Sequence, residues 1–101
     1  MRHRESVFWA WADPSLEHHS YEEVLADGAR LDVQVRLSRT GDTQLFIGIY
    51  ERSGLARTEE AYAKRPGETV TRAMAWGAGR GRALAEIGAE NGGASFRQKL
   101  K

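Results

Sequence analysis

The sequence predicts one α+β domain, an antiparallel sheet of three or four strands packed against a single C-terminal helix. Three observations carry this expectation. Leu31, Val33, Val35 and Leu37 alternate with Asp32, Gln34, Arg36 and Ser38, the two-residue period of a half-buried strand. After Arg65-Pro66-Gly67 the period changes, and Val70, Ala73, Met74, Gly77, Gly81, Leu84 and Gly88 recur at helical spacing, with Ile87 widening the stripe. At 101 residues, 41% of them hydrophobic and two of them proline, the chain has the size and composition of one globular unit spanning 1–101.

The core strands are placed at 31–37 and 44–51, joined by a turn at Arg39-Thr40-Gly41-Asp42. In the second of them Leu45, Ile47 and Ile49 face one way and Phe46, Gly48 and Tyr50 the other, so both faces of the sheet need cover. Ser53-Gly54 closes that arm, and a weaker strand follows at 55–63. Two further segments are strand candidates. The aromatic run 6–12 sets Val7, Trp9 and Trp11 on one face before Asp13-Pro14-Ser15 stops it. Residues 14–26 are open to two readings: a helix started by Asp13-Pro14 and running through Leu16, Ser20 and Val24, or an extended arm at 21–26 that turns at Asp27-Gly28. The extended arm is favoured. The helix is expected over 69–90, stopped by Asn91-Gly92-Gly93, with 94–101 a short basic tail in which Phe96 and Leu100 offer attachment points.

Charge is divided along the chain. Residues 1–63 carry 7 Arg/Lys against 11 Asp/Glu, and residues 64–101 carry 8 against 3. An acidic front and a basic back suggest either packing of one on the other or a basic face for a partner. Zero cysteines exclude disulfides, thiolate metal sites and a cysteine nucleophile. The apolar run Val7–Ala12 is too short for a signal peptide or a membrane span, so a cytoplasmic protein without membrane contact is expected.

Glycines at 77, 79 and 81 cost the helix about 1 kcal/mol each relative to alanine. Gly77 and Gly81, one turn apart, are expected to let the helix backbone pack closely on a bulky sheet surface, with Phe46, Tyr50 or a tryptophan filling the space; the competing reading is a helix broken between Ala78 and Arg82. Trp76-Gly77-Ala78-Gly79-Arg80-Gly81-Arg82-Ala83-Leu84 resembles the glycine turn of short-chain dehydrogenases, which would imply a dinucleotide at a helix N-terminus. That resemblance covers nine residues, lacks the family's last glycine and has too little chain after it for the remaining strands. No cofactor is expected.

No catalytic constellation emerges. His18-His19 stands among Glu17, Glu22 and Glu23, but adjacent histidines diverge and the i, i+4 metal spacing is absent. No serine has a nucleophile elbow. The candidate functional residues are therefore contacts: Trp9, Trp11, Phe46 and Tyr50 on the sheet, and Arg72, Arg80 and Arg82 as a basic surface on the helix. They point to a small, bacterial-type, non-catalytic binding or regulatory protein acting on another protein or on itself as a homodimer. The alternative is a nucleic-acid-binding domain using the basic helix and tail.

Overall fold

A computed structural model describes residues 2–65 and 68–90, the last three through their backbone alone. Six elements follow in order: α1 (Ser6–Trp11), β1 (His18–Val24), β2 (Arg30–Leu37), β3 (Thr43–Tyr50), β4 (Ala56–Tyr62) and α2 (Val70–Glu90). The strands form one antiparallel sheet in the order β1-β2-β3-β4, a meander with α2 against β2 and β3. The expected fold class, an antiparallel sheet backed by a C-terminal helix, is the one observed. The proposed tail 94–101 and the stop at Asn91-Gly92-Gly93 lie outside the described residues.

All three hairpins use the same device. Leu25, Ser38 and Glu51 each accept a bond from a glycine N–H three residues on (2.8–2.9 Å), and each donates its own N–H to the carbonyl four residues on (2.8 Å). The glycines are Gly28, Gly41 and Gly54, with φ of 87°, 90° and 99°. This is the three-residue hairpin with a left-handed glycine that starts a bulge. The glycines recur every thirteen residues, so strand and turn together have constant length and the hydrophobic faces stay in register.

The face toward α2 carries Leu31, Val33, Val35, Leu45, Ile47 and Ile49, all fully buried. Against it α2 presents Ala73, Gly77, Gly81 and Ala85, a ridge of small residues at four-residue spacing. A Cβ built on Gly77 would lie 2.8 Å from Val33 Cγ1 and 3.0 Å from Leu45 Cδ1, and one on Gly81 would run into Leu31. The helix backbone therefore rests directly on the side chains of Val33, Leu45 and Leu31, and not on Phe46, Tyr50 or a tryptophan, and α2 is continuous through the glycines rather than broken. Gly79, on the outer side, meets nothing within 4 Å. Thr69 starts the helix, its Oγ1 accepting from Arg72 N–H at 3.1 Å, in the manner of an N-cap.

Residues 6–12 are the main correction. Ser6–Trp11 form a helix, not a strand, and Ala12 is its extended C-cap. Two-residue alternation would put Trp9 and Trp11 on one face, yet Trp9 is 65% exposed and Trp11 9%. The period that governs is three: Phe8 and Trp11 both turn inward onto Phe46, at ring-centre distances of 5.2 and 5.7 Å. A six-residue helix has little stability of its own. The side chain that caps it comes from β4: Glu59 accepts from the backbone N–H groups of Glu5 and Phe8, both at 3.0 Å. The extended reading of 21–26 is closer to what is seen, with the strand beginning earlier, at His18.

Candidate functional site

The sheet face opposite α2 is covered by the chain's own N-terminal segment. Phe46 and Tyr50 are fully buried there and Trp11 nearly so, which removes all three from the surface and corrects their assignment as partner contacts. Gly48 makes the space: a Cβ there would stand 2.6 Å from the Tyr50 ring. The Tyr50 hydroxyl donates to Glu59 at 2.6 Å and accepts from Arg4 Nη1 at 3.0 Å. Arg4 also pairs with the buried Asp32 at 2.6 Å and lies 4.1 Å from the Phe8 ring centre. Burial and the Glu59 bond push the Tyr50 phenol well above its ordinary range. Arg36 stacks on Trp11 at 3.8 Å and donates Nε–H to Gln44 at 2.7 Å. These bonds make the layer a polar clamp that docks α1, while Trp11 Nε1, Asp32 Oδ1 and Arg36 Nη1 are buried in it with no hydrogen-bond partner among the described residues. Of the four predicted contacts only Trp9 stays at the surface.

The basic helix face is also largely spoken for. Arg80 is held by both oxygens of Glu60, at 3.1 and 2.9 Å, and Arg82 by Glu23, with its shortest bond at 2.8 Å. These pairs raise both guanidinium pKa values, Arg80 through Glu60 first and Arg82 through Glu23 first. Each joins the basic back of the chain to its acidic front, so the charge division in the sequence is partly folded back on itself. Arg72 alone of the three has no carboxylate against it among the described residues.

The open surface lies on the other side of α2. The helix sits over β2 and β3, and β1 projects beyond it. Between them runs a trough of ≈ 530 Å³. Its strand wall is His19 and Tyr21, and its helix wall is Met74, Ala75 and Ala78. Val70 and Thr71 close one end and Arg82 the other. Tyr21 donates its hydroxyl to Glu23 at 2.9 Å, and the same carboxylate holds Arg82, so the charged end is fixed in place. The Glu23 carboxyl is held below its usual range by Arg82 first and Tyr21 second.

The outer edge of β1 adds backbone groups to this trough. Leu25 and Ala29 form a hydrogen-bonded pair at the turn. Antiparallel alternation then directs the peptide groups of His19, Tyr21 and Glu23 to β2 and those of His18, Ser20, Glu22 and Val24 outward. No other described strand meets that edge. At the opposite edge, α1 packs against β4. In β4 a register shift beside Ile49/Tyr50 leaves Arg57 as the extra residue, its side chain 6% exposed and bound to Glu51 at 2.7 Å and Asp27 at 3.0 Å. A bulged edge carrying buried charge resists strand addition.

Sequence reasoning missed His19, Tyr21, Ala75 and Ala78. The available signal was the strip His18–Val24 itself, seven residues without glycine or proline. Among the described residues no three His, Asp or Glu side chains gather in a metal-binding arrangement. None of the described helices is long and apolar enough to cross a membrane. Comparison with protein-family models, with curated proteins and with solved structures finds no match to this chain.

Proposed function

We propose that the chain is a non-catalytic protein-interaction module that takes its partner as an added strand at the outer edge of β1, with partner side chains seated in the trough beneath α2. The observation that carries this reading is the juxtaposition of a seven-residue edge strand, whose alternate peptide groups point outward, with a mostly apolar trough of ≈ 530 Å³ along its inner face. In strand addition, main-chain bonds supply affinity and pockets for alternate side chains supply specificity. Both parts are adjacent here. Arg80 and Arg82 are engaged by carboxylates, which weakens the case for a phosphate-binding helix.

The test is selection from a library of random extended peptides displayed on phage, followed by Ser20→Pro. Ser20 directs its N–H away from β2, so proline there removes an outward donor without breaking the internal ladder. Peptides of alternating pattern that lose binding on Ser20→Pro, and keep it between low and high salt, support the reading. Failure to select peptides, or binding indifferent to Ser20→Pro, overturns it. Affinity for a random duplex DNA that falls steeply with salt would favour the nucleic-acid alternative.

A further inference from the structure

We infer that the strand received at the β1 edge is β1 of a second copy, paired antiparallel about a two-fold axis at Tyr21. This rests on the edge-binding reading above and names its partner. The argument is one of register. Only His18, Ser20, Glu22 and Val24 have outward peptide groups, so a symmetric pairing must match even-numbered residues with even-numbered ones. Centring the axis on Tyr21 pairs the whole strand with itself: His18 with Val24, Ser20 with Glu22, and Tyr21 with Tyr21 of the second copy. Each of the other registers this rule permits leaves residues at both ends unpaired.

That register is also the one the side chains favour. His19 comes opposite Glu23 of the second copy, twice by symmetry, at the closer of the two antiparallel spacings. The strand places its imidazoles at the first end and its carboxylates at the far end, His18-His19 and Glu22-Glu23, so antiparallel self-pairing sets unlike groups together. A parallel partner would set like on like. The two Tyr21 rings meet on the α2 side of the sheet, where Tyr21 is 38% exposed in the single chain. The helices do not collide. Each lies over β2 and β3, so their axes stand about 19 Å apart at a strand spacing of about 4.8 Å, and the two troughs join across the axis.

The experiment is sedimentation equilibrium and non-reducing electrophoresis of the full chain and four variants. The native chain should show twice its 11.3 kDa mass at micromolar concentration. Tyr21→Cys, in a chain with no other cysteine, should form a disulfide-linked dimer on mild oxidation, because facing residues at that spacing meet disulfide geometry. His18→Cys should not, since its counterpart is at the far end of the strand. Ser20→Pro should give a monomer with native circular dichroism, and His19→Glu should weaken the dimer about tenfold. A dimer unmoved by Ser20→Pro overturns both the register and the edge reading. A monomeric native chain that still binds selected peptides overturns the self-pairing and leaves the edge reading standing. A monomer whose Ser20 and Glu22 amides are protected from hydrogen exchange also overturns it, by placing the chain's own residues on that edge.

Discussion

Replacing Gly77 with alanine sets two effects of similar size against each other, and the structure decides between them. Alanine in place of glycine favours a helix by about 1 kcal/mol. The new methyl would stand 2.8 Å from Val33 Cγ1 and 3.0 Å from Leu45 Cδ1, both fully buried. Carbon atoms are comfortable at about 3.5–4.0 Å, and the branched Val33 is stiff about its first side-chain torsion. Relief therefore requires α2 to lift from the sheet or Val33 to leave its rotamer. Overpacking of that kind costs about 1–3 kcal/mol. The net expectation runs from no change to a loss of about 2 kcal/mol. Gly77→Leu adds three further carbons at the same place and should lose more than about 1 kcal/mol despite leucine's helix preference. Gly79→Ala is the control. It meets nothing within 4 Å, so only the helix gain of about 0.5–1 kcal/mol remains. Urea titrations at 25 °C measure all three, with an unchanged m-value showing that the unfolded reference is the same. Gly77→Ala as stabilising as Gly79→Ala would refute close packing at the helix–sheet contact.

Three other outcomes are expected. Glu59→Ala removes the acceptor of the Glu5 and Phe8 amides and of the Tyr50 hydroxyl, and should cost about 2–3 kcal/mol; hydrogen exchange should show those amides opening before global unfolding. Asp32→Ala strands Arg4, only 17% exposed, and should cost about 3 kcal/mol, read in the same urea titration. Stability should also fall at both ends of the pH scale. Asp27 is held low by the Ala29 amide and then Arg57, and Glu51 by Arg57. The stability these carboxylates add is present above their unfolded pKa and is lost as pH falls through the lower folded value, below about pH 4. Tyr50 is shifted upward, so its contribution is complete below the unfolded phenol value and declines as pH rises beyond about 10. Thermal unfolding across pH 2–11 checks both limbs, and a Tyr50→Phe variant should weaken the alkaline one, leaving the part due to Tyr62, which burial and its bond to Glu60 also shift upward.

Local patterns made the meander legible. Alternation marked β2 and β3, and each of the three turns carries its glycine in plain view. The helix was equally plain, and the bare backbone at Gly77 and Gly81 followed from asking what offsets three glycines. What failed to show was non-local. The start of β1 is polar on both sides because an edge strand outside the shadow of α2 buries little, which erases alternation. The run Val7–Trp11 fits a two-residue period as well as a helix, and the residue that settles the matter is Glu59, some fifty positions away. Once α1 is misread, Phe46 and Tyr50 look uncovered, although the N-terminal segment lies across them. Arg80 and Arg82 look available for the same reason, since Glu60 and Glu23 come beside them only in the folded chain.

The way α1 is held implies an order of events. Its amides wait on a carboxylate that leaves the ribosome more than fifty residues later, and six residues cannot sustain a helix meanwhile. A segment synthesised ahead of the whole sheet is thus among the last to take shape. Until β3 and β4 are in place, Phe8 and Trp11 have neither Phe46 to lie on nor Glu59 to hold their helix. During synthesis the nascent chain therefore presents its most adhesive stretch to whatever is nearby, and a fusion partner or affinity tag placed directly before Ser6 would act on this late step rather than on the sheet.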